Sequence, residues 1–250
     1  MKLTILGSGT LLSGADRAMA GYLIERQGRT ALLDAGPGTL LRMAEADVNP
    51  VAVEALFISH FHPDHISDLM ALLLKRHLLE PGCNRKLTIA GPAGLADWFR
   101  AQVSFQGRWL HSAFPAIKEL AAGETWAEVW PVTAAPTPHT EESMALRFAD
   151  DLFYSGDTDF DPDLALFARG CHTGLLECSH PDPNKIEGHL TVSETAEFAR
   201  QADFKRLIVT HLYPDNDRPD LKEQLAARFS GRIEVARDLT VYSWPFDLNR

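Results

Sequence analysis

The chain has 250 residues, 45% of them hydrophobic and 9% aromatic, enough for a sizeable buried core. Its 34 acidic residues outweigh 24 basic ones, for a net charge of -10, and no dense Lys/Arg cluster occurs, so a large nucleic acid is disfavoured as a partner. No run reaches the roughly 18 to 20 apolar residues of a membrane helix, and Met1-Lys2 leads only into LTIL; no membrane partner and a cytoplasmic location are expected.

In chain order, KLTILGSG reads as a strand entering a glycine turn. GYLIERQGRTALLDAGPG reads as two strands joined at Gln27-Gly28 and ended by Asp34-Ala35-Gly36. TLLRMAEADV has helical spacing, VEALFISH is a buried-strand run, and ISDLMALLLKRHLLE is one long helix candidate. RKLTIAGP then predicts a strand, AGLADWFRAQV a helix, and WAEVWPVTAAPTPH strand and loop.

The second half resumes with SMALRFADDLFYSGDTD, two strands about an Ala-Asp-Asp turn. DLALFARG, TVSETAEFARQA and PDLKEQLAARFSG predict helices, and TGLLECS, RLIVTHL and LTVYSW predict strands. Thr191 and Glu194 form a capping-box pair at the start of the second of these helices. No low-complexity linker divides the chain, so a single domain spanning 1–250 is expected. ALFISHFHPD (55–64) and RLIVTHLYPD (206–215) match in register, which points to an internal duplication with a strand-end histidine in each half.

Cys83, Cys171 and Cys178 are odd in number and lack CxxC spacing, as expected of reduced, buried thiols. His77, His111 and His172 are isolated and read as structural. The stretch ISHFHPDH is different, because three imidazoles and a carboxylate crowd one strand end where packing gains nothing from them. A divalent metal accounts for them: imidazole and carboxylate suit Zn²⁺, Mn²⁺ or Fe²⁺. Strand alternation sends His60 and His62 to one side, while Asp64 and His65, past the Pro63 turn, can face a second ion.

SHFHPDH resembles the signature of the metallo-β-lactamase-fold hydrolases. The resemblance covers the whole chain, since the other motif positions follow in order: Asp34 of LLDAG, His139 of PTPHT, Asp157 of YSGDT and His211 of VTHLYP. It implies an α/β fold, a four-layered αββα sandwich of two similar halves with two divalent metal ions at one edge. By the same likeness His60, His62 and His139 would hold one ion, Asp64, His65 and His211 the other, and Asp157 would bridge them. Zinc is the first expectation, with manganese or iron as alternatives. Two such ions, two carboxylates and a bridging hydroxide leave a net positive site, suited to a small anionic substrate.

The fold hosts many chemistries, so the reaction is argued from the site. An aspartate at Asp157 disfavours the cysteine-containing sites of some antibiotic-hydrolysing members, and HxHxDH differs from the HxExD of the oxygen-reducing diiron members. GHLTVSETA is similar to the GHSTA segment of ribonuclease Z and related phosphodiesterases. That likeness implies that His189 assists the leaving group after attack by the bridging hydroxide, with Glu177 orienting it and Asp64 able to accept the water's proton. His180 is a weaker candidate for lining the site.

Ribonuclease Z carries a long tRNA-gripping arm between the positions of His139 and Asp157, whereas only 17 residues, 140–156, intervene here. This shifts the expectation from tRNA to a smaller phosphodiester, a cyclic nucleotide or nucleotide derivative. The alternative is a lactonase or thioesterase using the same hydroxide on a carbonyl, with Tyr213 as a carbonyl contact; a ribonuclease Z-type endonuclease and a noncatalytic metal-binding protein rank lower. GSGTLLSG lacks GxGxxG spacing and leads to a strand, so it reads as a turn and not as a dinucleotide loop. The aromatics Phe105, Trp109 and Phe114 belong to a segment that covers the site, forms a homodimer contact or packs in the core.

Overall fold

Val53–Phe57 reads VEALF and is buried at every residue but Glu54, as suits a strand with parallel neighbours on both edges in a sheet covered on its faces. The computed structural model describes residues 1–80, 86–106, 115–128 and 130–244. Cys83, Trp109, His111 and Phe114 lie outside the described residues. The chain divides into two compact units: Met1–Gly7, Ala18–Leu120 and Asp238–Arg250 form one, Ser8–Arg17 and Ala121–Arg237 the other.

The first unit holds strands β1 (Lys2–Gly7), β2 (Gly21–Arg26), β3 (Arg29–Leu33), β4 (Val53–Phe57), β5 (Thr88–Gly91), β6 (Ala116–Glu119) and β14 (Val241–Ser243). They form one sheet in the order β14-β1-β2-β3-β4-β5-β6. The first three pairings are antiparallel and the last three parallel. Its helices are α1 (Thr39–Glu45), α2 (Pro63–Ile66), α3 (Leu69–Leu79) and α4 (Leu95–Gln106). Leu32, Leu56, Ile58, Leu69, Ile89 and Phe99 anchor its apolar core.

The second unit repeats the scheme with β7 (Thr125–Trp126), β8 (Val132–Pro136), β9 (Met144–Phe148), β10 (Leu152–Tyr154), β11 (Thr173–Glu177), β12 (Arg206–Thr210) and β13 (Arg232–Val235). Read from β7, the order is β7-β8-β9-β10-β11-β12-β13, again three antiparallel pairings and then three parallel ones. Its helices are α5 (Pro162–Ala168), α6 (Val192–Gln201) and α7 (Leu221–Ala226). Phe153 stacks on Phe198 and Phe204, with ring centroids 5.6 and 6.1 Å apart, at the centre of its core.

The two similar halves are present, but their register differs from the sequence match. By place in the sheet β4 corresponds to β11, one strand away from the β12 segment that RLIVTHL supplies. Doubly buried parallel strands read as near-continuous apolar runs, so the two segments look alike without holding equivalent places in the sheets. The capping box on α6 is formed: Glu194 Oε2 accepts from Thr191 N at 2.9 Å, and the Thr191 side chain accepts from Glu194 N.

The long helix expected over 66–80 spans only Leu69–Leu79, and Ser67-Asp68 separate it from the short α2, which ends at Ile66. The Asp68 carboxylate does not cap its own helix; it accepts from Gly38 N (3.1 Å) and Leu40 N (2.9 Å), fixing the start of α1. Burial raises the Asp68 pKa, against the lowering effect of those two hydrogen bonds. Phe105 is 87% exposed and so is not core packing.

Candidate metal centre

In the first unit the histidine motif occupies the turn from β4 into α2. Asp34 closes β3 and organises this turn: its Oδ1 accepts from Ser59 N (2.7 Å), and its Oδ2 accepts from Ser59 Oγ (2.8 Å). The Asp34 Oδ2 to His65 Nδ1 distance is also 2.7 Å. An ionised carboxylate only accepts, so His65 Nδ1 carries the proton and its lone pair lies on Nε2. The Ser59 hydroxyl gives its single proton to Asp34 and therefore accepts from His60 Nδ1, 3.0 Å away, which leaves the His60 lone pair on Nε2 as well.

One buried carboxylate thus sets the tautomer of two imidazoles, His60 directly through Ser59 and His65 by contact. The His60 ring lies 4.7 Å from that of His62 and 4.1 Å from that of His65. Asp64 Oδ2 is 4.0 Å from His65 Nε2. His60, Asp64 and His65 are buried, whereas His62 is exposed. A Cβ on Gly36 would come within 1.9 Å of the Asp64 carbonyl oxygen, so only glycine lets the LLDAG loop close on α2.

The second unit builds a parallel arrangement from β10, β11 and β12. Asp157, three residues beyond β10, has Oδ2 at 3.8 Å from His139 Nε2, 3.5 Å from His211 Nε2 and 3.9 Å from His189 Nδ1. Asp157, His189 and His211 each offer a ligand atom, all within 4.8 Å of one another. Ser179 Oγ donates to Glu177 Oε2 and stands 3.1 Å from His211 Nδ1, repeating the carboxylate, serine and histidine relay of Asp34, Ser59 and His60.

Glu177 Oε2 is also 3.2 Å from His189 Nδ1, while Glu177 Oε1 accepts from Thr158 N at 2.6 Å. His139 Nδ1 is 2.9 Å from the Gly188 carbonyl, an acceptor only, so Nδ1 holds the proton and Nε2 points its lone pair towards Asp157. Burial pushes His139 below the ordinary imidazole range, against the opposing pull of Asp157, and so favours the neutral ligand form. His180 is 4% exposed, with Nδ1 3.6 Å from Asp215 Oδ1 and its ring 4.4 Å from Tyr213. Burial lowers its pKa too.

Of the sequence-selected residues, His60, His62, Asp64 and His65 belong to the first unit and His139, Asp157, Glu177, His189 and His211 to the second. Sequence reading missed Ser59 and Ser179 as orienting groups, although each sits at a strand end beside the relevant carboxylate. Asp34 and His211 both adopt left-handed backbone, with φ of 52° and 53°. Such a conformation costs a non-glycine residue about 1 to 2 kcal/mol, and here it aims a side chain at the end of a strand.

Imidazoles oriented by carboxylates, serine hydroxyls and a backbone carbonyl form a donor set for borderline divalent metals. The two mixed sheets with their helices and this donor set define a metal-dependent hydrolase of the metallo-β-lactamase fold. The family model for the β-lactamase superfamily domain matches residues 29–212. The chain belongs to that superfamily. Over 269 aligned residues it is 30% identical to a protein named ribonuclease Z from Mycobacterium sp. (strain KMS), covering 96% of this chain and 94% of the relative.

Among solved structures, the metallo-β-lactamase fold protein YhfI from Bacillus subtilis matches with a TM-score of 0.83 at 22% identity, over 96% of this chain and 98% of that one. A diphosphatase of the PhnP family matches with a TM-score of 0.78 at 17% identity, over 98% of both chains. Among the described residues, no helix is long and apolar enough to cross a membrane.

Proposed function

We propose that the protein is a dinuclear-metal phosphodiesterase acting on a small phosphodiester, a cyclic nucleotide or a nucleotide-like compound. In this reading the two units act as one catalytic domain. His60, His62 and His139 would hold one ion and Asp64, His65 and His211 the other, with Asp157 serving both. Zinc is the proposed metal, and a cytoplasmic location is supported by Cys171 and Cys178, which are buried free thiols.

The observation that carries the proposal is the Glu177–His189 pair beside Asp157, with His189 Nδ1 at 3.2 Å from Glu177 Oε2. When bound, the metals supply Lewis-acid polarisation and a nucleophilic hydroxide at neutral pH. Asp64 accepts the proton of the attacking water. Glu177 accepts from His189 Nδ1–H and so favours the doubly protonated imidazolium, whose Nε2–H would pass its proton to the departing oxygen and leave the neutral ring. General-acid assistance of this kind contributes about 10²- to 10⁴-fold in rate.

A small substrate is favoured over tRNA because residues 140–156 are taken up by a short loop, β9, a turn, β10 and Ser155-Gly156, which leaves no length for an arm. The relative's name keeps RNA cleavage as the competing reading. A second reading, lactone or thioester hydrolysis, draws on the Tyr213 ring, 6.0 Å from that of His189 and 5.9 Å from that of His211.

The test is the initial rate on bis(p-nitrophenyl) phosphate with Zn²⁺- or Mn²⁺-loaded protein. Turnover of this diester by wild type, with a His189→Ala variant that keeps its metal but cleaves poorer leaving groups far more slowly, supports the reading. Inactivity of fully metallated protein on diesters, with turnover of lactones, overturns it.

A further inference from the structure

The segment carrying His189 is exposed from Asp182 through Glu187, yet it must hold an imidazole still enough to serve a departing group. Local ties along it are few. Asp182 Oδ1 accepts from Ser193 N (2.8 Å), Asn184 Nδ2 donates to Asp215 Oδ2 (3.0 Å), and His189 N donates to the Ile186 carbonyl (3.2 Å). The strongest group of contacts centres on one residue that the mechanism does not use.

Lys185 Nζ has three N–H donors, and three oxygens of three different segments receive them. Asp159 Oδ1 lies at 2.5 Å, Glu194 Oε2 at 2.6 Å and the backbone oxygen of His189 at 2.7 Å. Each oxygen is part of a further link. Asp159 Oδ2 accepts from Gly188 N at 2.9 Å, and the Gly188 carbonyl accepts from His139 Nδ1 at 2.9 Å. Glu194 Oε2 also accepts from Thr191 N, closing the capping box that starts α6.

Gly188 itself has φ of 87°, and a Cβ there would stand 2.9 Å from His139 Nδ1, so the chain at this point is pressed against His139. The ammonium thus joins the loop after Asp157, the start of α6 and the backbone of His189. No other cation shares these three oxygens among the hydrogen bonds described.

We infer that Lys185 is a positioning residue for the reaction: its ammonium fixes the His189 backbone against Asp159 and Glu194. The inference rests on the reading of His189 as the group that assists the leaving oxygen. Lys185 touches neither substrate nor reacting atoms. Its effect is to hold His189 Nε2 where a proton reaches the departing oxygen, so its loss should fall on the leaving-group step. Charge alone would not serve, since the three acceptors require three donors in a tripod.

The test uses aryl methyl phosphodiesters whose leaving groups run from p-nitrophenol, which departs without a proton, to phenol, which needs one. Lys185→Met keeps the aliphatic stem and removes the donors. It should lower kcat about 10- to 100-fold for the phenyl ester, leave the p-nitrophenyl ester nearly unchanged, and leave KM and metal content as in wild type. Lys185→Arg, which can reach two of the three oxygens, should recover part of the loss. In ¹H–¹⁵N spectra the His189 ring resonances should shift or broaden in Lys185→Met.

Equal loss on both esters, or unaltered ring resonances with unaltered phenyl-ester turnover, overturns the inference. If His189→Ala shows the leaving-group dependence and Lys185→Met does not, only the positioning role fails. If His189→Ala itself shows none, the reading of His189 fails first. A melting transition measured on each variant identifies any that is misfolded, and Lys185→Arg then decides the matter.

Discussion

Ser59→Ala isolates the relay that sets the tautomer of His60. Ser59 is fully buried, donates to Asp34 Oδ2 at 2.8 Å and accepts from His60 Nδ1 at 3.0 Å. Alanine removes one oxygen and little else. Asp34 keeps the Ser59 backbone N–H and His65 Nδ1, both at 2.7 Å, so the second imidazole stays oriented. His60 loses the acceptor that keeps its proton on Nδ1. Buried groups deprived of a partner cost about 1 to 3 kcal/mol, and removal of such an orienting group typically weakens metal affinity about 10- to 100-fold, or about 1.4 to 2.7 kcal/mol. Competition of each variant against a chromogenic chelator reads the loss. Ser179→Ala, which removes the same link from Glu177 and His211, should weaken metal binding to a similar degree. Ser104→Ala, exposed on α4 and, among the described residues, donating to the Ala101 carbonyl alone, should not. Wild-type zinc affinity in Ser59→Ala would refute the reasoning.

Metal removal should also cost stability, because Asp64, Asp157 and the buried imidazoles lose their counter-charge. At free metal 100-fold above Kd, one bound ion contributes about 2.7 kcal/mol, so chelation should lower the calorimetric Tm, and an unmoved Tm would argue against tight binding. Gly36→Ala should destabilise the fold or abolish metal binding, since a methyl group there meets the Asp64 carbonyl oxygen at 1.9 Å; a well-folded, fully metallated variant contradicts that geometry. The Arg17 guanidinium, paired with Asp217 at 2.7 and 2.9 Å, holds the Asp217 pKa below the usual carboxylate range. A depressed folded-state pKa means that this stabilisation is complete above the unfolded value of about 3.9 and is lost as pH falls through the folded value. The urea midpoints of wild type and Asp217→Asn should therefore differ at neutral pH and converge in strong acid. A gap that persists unchanged there would assign the effect to packing.

The strands, most helices and the ligand clusters could be read from the sequence because each rests on local pattern. β4 is an apolar run, α6 starts with a capping box, and HxHxDH gathers ligand side chains within six residues. What escaped depends on distant partners. The break before α3 exists because Asp68 serves α1, some 28 to 30 residues away. Ser59 and Ser179 are ordinary serines until sheet pairing brings Asp34 beside the first and His211 beside the second. The strands β6 and β13, AIKE and RIEV, carry too little apolar signal to stand out and are recruited by pairing with β5 and β12. The correspondence of β4 with β11 instead of β12 likewise follows from strand order alone, which no single segment encodes.

Titrating metal-free protein with Zn²⁺ while following both bound metal and bis(p-nitrophenyl) phosphate hydrolysis addresses the central claim most directly. Two equivalents should bind per chain, with hydrolysis rising as the second site fills, and Asp157→Asn should bind less and cleave far more slowly. Full activity with one equivalent, or two bound equivalents with no cleavage of any phosphodiester, would contradict a dinuclear phosphodiesterase centre.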